Sequence, residues 1–123
     1  MEDQMTLAQK NLNKPDETRP FQGKGNMAVV TIGEATVGRG TFEPGWKWSS
    51  NVKPIAGTDS CQANHTAYVL SGRMIVKAND GTQVEYGPGD VMIATAGHDA
   101  WTVGNEPCIL IDWTGVKAYA KKA

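Results

Sequence analysis

From Met27 onward the chain is a series of short apolar-rich runs separated by turn-forming residues. "MAVVTIG", "TVGRGTF", "AYVLSGRMIVKA", "TQVEYG", "VMIATA", "AWTVG" and "CILIDW" each read as strand material, with "EPGW", "GPGD" and "GHD" among the breaks. Asp80-Gly81 between two such runs predicts a tight hairpin of type I′, whose two central residues must both tolerate positive φ. Helical periodicity is absent. Regular short strands with 14 glycines predict an all-β sandwich or small barrel.

The pattern divides the chain into three parts. Residues 1–26 are polar, carry two prolines in "NKPDETRPF" and read as an N-terminal arm with at most an edge strand or a weak helical turn. Residues 27–116 form the barrel, and 117–123 a polar tail. Within the barrel, "SSNVKPIAGTDS" has the Pro54, Gly57 and small polar residues of a loop at a barrel mouth.

Composition narrows the function classes. A chain of 123 residues is one domain with one core. Its 12 basic and 13 acidic residues are interspersed and sum to a net charge of -1, which excludes a nucleic-acid or anionic-membrane footprint. Apolar runs such as "CILI" are too short to span a bilayer, and "MEDQMTLAQK" lacks the pattern of a leader, so a soluble, cytoplasmic protein with reduced Cys61 and Cys108 is expected.

Candidate chemistry begins at "DSCQANHTAYVL". Residues two apart on a strand share a face, so Asp59, Cys61, Ala63, His65, Ala67 and Val69 would line one side together, polar at one end and apolar at the other. Cys61 alone is better explained as a small core residue, and His65 alone is compatible with a hydrogen-bonded core histidine. Four tryptophans add apolar surface: Trp46 and Trp48 alternate on one face, and Trp48 and Trp101 are the candidate walls of a ligand pocket, the alternative being core or interface.

The run "HTAYVLSGRMIVKANDGTQVEYGPGDVMIATAGHDAW" resembles the cupin superfamily, over roughly residues 41–114. The resemblance implies a single-domain jelly-roll (double-stranded β-helix) barrel, a homodimer, and a divalent metal held by two histidines and a glutamate of a first motif and a histidine of a second. Gly72, Gly89 and Gly97 match. His65 stands at the glutamate position, Cys61 and Asp59 at the two histidine positions, and Thr95, Ala100 and Gly104 replace the second motif's proline, histidine and asparagine. His98 lies two residues before Ala100 and would point to the same side of an extended chain.

Cys61, His65 and His98 are therefore the candidate ligands for Zn²⁺, Ni²⁺, Co²⁺ or Fe²⁺, with Asp59 as a fourth ligand or general base and His65 and His98 as candidate acid–base groups. The expected function is a small-molecule-binding cupin, as a metal-dependent enzyme of dioxygenase, isomerase or lyase type. A non-catalytic ligand- or metal-binding module, or a barrel that has lost its site, stays open beside it.

Overall fold

The computed structural model describes residues 6–117 and 119–121. Nine strands follow in order: β1 (Glu17–Pro20), β2 (Gly25–Ile32), β3 (Ala35–Phe42), β4 (His65–Ser71), β5 (Arg73–Ala78), β6 (Gln83–Tyr86), β7 (Val91–Ala94), β8 (His98–Val103) and β9 (Cys108–Asp112). They form a six-stranded sheet in the order β1-β2-β3-β9-β4-β7 and a three-stranded sheet in the order β6-β5-β8, with antiparallel pairing throughout. The fold is the double-stranded β-helix barrel of the cupins.

Between the sheets, the period-two alternation does what the sequence predicts. Ala67 and Val69 of β4, Met92 and Ala94 of β7, Ala100 of β8 and Cys108 and Leu110 of β9 turn inward and are buried with Met27, Phe42, Trp46 and Met74. The opposite face of β4 and β7 stays exposed, with Tyr68, Leu70, Val91 and Ile93 on the outside near Trp113.

Three local expectations are corrected. The hairpin at Asp80-Gly81 forms, joining β5 to β6, but only Gly81 has positive φ, at 96°. Gly81 N–H donates to Ala78 O and Ala78 N–H to Thr82 O, which is a type I turn followed by a bulged glycine. The stretch after Trp46 contains two single-turn helices, α1 (Trp48–Asn51) and α2 (Lys53–Ala56), where a loop is expected; Pro54 sits in the first turn of α2 and Gly57 closes it at φ 78°. The segment read as a polar tail carries Tyr119 and Ala120 into the core, 6% and 8% exposed.

The clamp on that segment comes from the N-terminal arm. Arg19 of β1 is buried and donates from Nη1 to the carbonyls of Val116 (2.5 Å) and Tyr119 (2.8 Å), while Nε and Nη2 reach the Glu17 carboxylate. A planar guanidinium serves this double duty because its donors form a fixed fork. The arm strand β1 and the segment after β9 are thus pinned together. Of the "MTLAQKNL" stretch read as a possible helical turn, Met5 lies outside the described residues, and Thr6–Leu12 contain no helix.

Candidate metal centre

The site forms where β8, β4 and the chain before β4 meet. Cys61 is tied to His98 by an isolated bridge: Cys61 N–H donates to His98 O, and Gly97 N–H to Cys61 O. His65 opens β4 and His98 opens β8, and in β8 the buried positions are His98, Ala100 and Thr102. The shared inward face of His98 and Ala100 is therefore real, and the imidazole is only 4% exposed. Donor atoms of Cys61, His65 and His98 all lie within 4.8 Å of one another.

Each imidazole is oriented through its second nitrogen. His98 Nδ1 sits 2.6 Å from Thr95 O, so it carries a proton and Nε2 is the nitrogen left for the cluster. His65 Nδ1 donates to Asp112 Oδ2, and its Nε2 lies 3.7 Å from Cys61 Sγ. Asp112 is itself fixed, its Oδ1 accepting from the N–H groups of Thr114 (3.0 Å) and Gly115 (3.2 Å). Gly115 is required by proximity: a Cβ there would stand 2.5 Å from Asn64 O and 2.8 Å from His65 Nδ1. Any side chain would push the closing segment off the histidine.

Proton affinities follow from this arrangement. Burial pushes the Cys61 thiol up, and hydrogen bonding and positive charge from His65 and His98 outweigh it, bringing the thiol down to about 6. Burial disfavours the His65 imidazolium, but hydrogen bonds to Asp112 and Cys61 and their negative charge raise it to about 9. Near neutral pH the pair is thiolate and imidazolium. Cys108, with no such neighbour, is raised to about 11 by burial alone. Burial, then the charges of Cys61, Asp112 and Asp99, raise the Tyr119 phenol above its ordinary value.

The donor set fits a divalent transition metal. One thiolate and two imidazoles with committed Nδ1 atoms are a borderline-soft set suited to Zn²⁺, Co²⁺, Ni²⁺ or Fe²⁺ and unsuited to Mg²⁺ or Ca²⁺. Tetrahedral bonds of about 2.0–2.3 Å set ligand atoms roughly 3.3–3.7 Å apart, so side-chain shifts of about an ångström bring the three together. Asp112 and the Thr95 carbonyl occupy the outer positions that fix histidine tautomers in such sites.

Other expected site residues fall elsewhere. Asp59 is fully exposed and faces Lys53, 3.8 Å from its Nζ; it leaves the cluster because the chain before His65 is not extended strand and the two-residue rule fails there. Trp48 is 2% exposed and walls the cavity. Trp101 points outward, half-buried under Lys47, whose Nζ is 5.6 Å from the ring, so it lines no pocket with Trp48. Asp112 and Tyr119 are the members that sequence reasoning missed. In "CILIDW" the alternation that buries Cys108 and Leu110 also buries Asp112, and an acid at an inward position was the available signal.

The inner cavity is lined by His65, His98, Asp112, Trp46, Trp48 and Tyr119 among apolar residues, and leaves about 30 Å³ for the centres of water molecules. That is space for about two waters. Tyr119 packs edge-on against His65, with ring centres 5.2 Å apart. Trp46 keeps a buried Nε1–H with no acceptor among the described residues, a cost of about 1–3 kcal/mol.

Residues 47–110, just over half of the chain, match the EutQ-like cupin domain. The chain belongs to that family. Solved structures share the fold: a protein of unknown function from Rhizobium leguminosarum bv. viciae 3841 (21% identity, TM-score 0.63, 89% of this chain and 97% of the other). Another is a conserved protein with a double-stranded β-helix domain from Klebsiella pneumoniae (23%, TM-score 0.58, 95% and 94%). A third is the polyketide cyclase RemF from Streptomyces resistomycificus (15%, TM-score 0.62, 89% and 79%). No curated protein matches the chain. No helix among the described residues is long and apolar enough to cross a membrane.

Proposed function

We propose that this EutQ-like cupin is a metal-dependent enzyme acting on a small organic molecule, with Cys61, His65 and His98 holding the ion. The observation that carries the reading is the convergence of three donors within 4.8 Å, with both histidine Nδ1 atoms already committed to acceptors. A bound divalent ion would supply Lewis acidity toward a substrate oxygen or water.

The chain's own groups do the remaining work. Asp112 takes the His65 Nδ1 proton in hydrogen bond and keeps Nε2 turned toward Cys61, while the Thr95 carbonyl does the same for His98. Trp48 and Tyr119 wall the inner cavity on which the two histidines open, which limits water there and strengthens the charge interactions inside. When chelator-treated protein is titrated with Zn²⁺ in a calorimeter, one ion binds per chain, and His65→Ala abolishes the heat; heat unchanged in that variant would refute the reading.

A second reading is favoured by one feature, the row Cys61–His65–Asp112, which has the order of nucleophile, base and orienting carboxylate. In that case the chain works without metal and Zn²⁺ inhibits it. The homodimer belongs to the proposal as well: β7 is an edge strand with the sequence "VMIA", free of the charges that usually guard an edge, and Tyr68, Leu70, Val91 and Ile93 are exposed beside it. A second copy of the chain is the occupant that such a neutral, self-complementary face suits.

A further inference from the structure

A second hollow lies against the donor cluster from outside. It is lined by Trp48, Val52 and Ala56 of the α1–α2 stretch, by Cys61, and by Tyr119 and Ala120 of the closing segment. It leaves about 170 Å³ for the centres of water molecules, against about 30 Å³ in the inner cavity. Trp48 and Tyr119 belong to both spaces, so these two side chains are the partition between them. Cys61, whose Sγ faces His65 at 3.7 Å, connects the outer space to the donors.

These sizes decide where an organic molecule sits. The inner cavity holds about two waters and excludes any substrate of several carbon atoms while the partition is closed. The outer cleft is large enough and is walled by an indole, a phenol ring and aliphatic side chains, with Thr58 and Gln62 as its uncharged polar groups and Lys121 exposed at the rim. Apolar walls favour an uncharged body, and aromatic walls favour a flat one. At the inner end the donors of Cys61, His65 and His98 converge, and an ion held there would take an oxygen of the ligand.

We infer that the outer cleft binds the organic substrate of this site: an uncharged compound of one or two aromatic rings that carries a hydroxyl or carbonyl oxygen. The ring lies between the α1–α2 wall and the Tyr119–Ala120 segment, and the oxygen points past the partition toward Cys61, His65 and His98. This rests on the metal-site reading above. Access of the oxygen end requires Tyr119 to move, and Tyr119 is held by its carbonyl to Arg19.

The test uses 2-naphthol as the probe and the full chain with metal removed. Wild-type protein binds 2-naphthol saturably, one per chain, read from the probe's fluorescence. Ala56→Trp fills the cleft and weakens that binding at least tenfold while leaving Zn²⁺ affinity within twofold of wild type. Should Ala56→Trp fail to fold, Ala63→Leu, which intrudes on the same cleft beyond Cys61, carries the same comparison. Absence of saturable binding by wild type, or naphthol affinity unchanged by a folded cleft-filling variant, overturns the inference. Failure of the metal reading is seen separately, as naphthol binding that persists in a chain with no Zn²⁺ affinity.

Discussion

His65 donates its Nδ1 proton to Asp112, 47 residues further along the chain, where β4 and β9 lie side by side. The bond turns an ordinary core pair into a device with a direction: the carboxylate holds the proton on one nitrogen and presents the other to Cys61. Asp112→Asn replaces an anionic acceptor with a neutral amide of the same shape. Zn²⁺ affinity, measured by competition with a chelator, is expected to fall about 10–100-fold, with the cupin fold intact by circular dichroism.

Zinc binding depends on pH in a stated sense. In the metal-free chain the Cys61 thiol titrates at about 6 and the His65 imidazolium at about 9, so between these values the ion must displace the His65 proton and no other from the pair. Affinity rises about tenfold per pH unit from about 6 to 9, more steeply below 6 where Cys61 is protonated too, and levels above 9. Calorimetry in buffers of different ionisation enthalpy counts the released proton directly.

Alkylation separates the two cysteines. Cys61 keeps its thiolate down to about pH 6, whereas Cys108 stays a thiol to about 11. Iodoacetamide should label Cys61 at a rate nearly constant from pH 9 to 7 and falling below 6, and Zn²⁺ should protect it. Cys61, itself only 3% exposed, is reached through the outer cleft that it lines, whereas Cys108, at 0%, stays unlabelled in the native chain. Mass spectrometry of the peptides reads both.

Arg19 joins β1 to the segment after β9. Arg19→Ala leaves the Val116 and Tyr119 carbonyls without their donor and frees Glu17, so a loss of about 2–4 kcal/mol is expected in urea unfolding. The closing segment should open before the barrel does. Trypsin cleavage after Lys117, exposed on that segment, would then accelerate relative to cleavage elsewhere.

The exposed face at β7 makes its own prediction. Ile93 is 62% exposed beside Val91 at 63%, and a lysine at either position adds charge to the edge without touching the core. Sedimentation should show a dimer for wild type and a monomer for Ile93→Lys, both with unchanged zinc binding.

How much of this the sequence carries differs from residue to residue. The strands are legible because apolar alternation and the glycine turn at "GPGD" are local signals, although of "GHD" only Gly97 lies in a turn, and His98 is legible because position two before Ala100 stays on one face of β8. Asp59 was misplaced because the same counting was extended past His65 into chain that bends away to Lys53. Arg19 and Tyr119 were illegible for a different reason. Each sits in a polar segment, and the contact that joins them spans 100 residues. Trp101 obeys the alternation correctly; its neighbours Ala100 and Thr102 take the inward positions, which leaves the indole outside.

The most direct test of the account is the metal content of protein purified without chelator, measured by elemental analysis beside Cys61→Ser and His98→Ala. The account predicts close to one Zn²⁺, Co²⁺, Ni²⁺ or Fe²⁺ per wild-type chain and loss of most of it in both variants. Substoichiometric metal that is the same in all three proteins would contradict it.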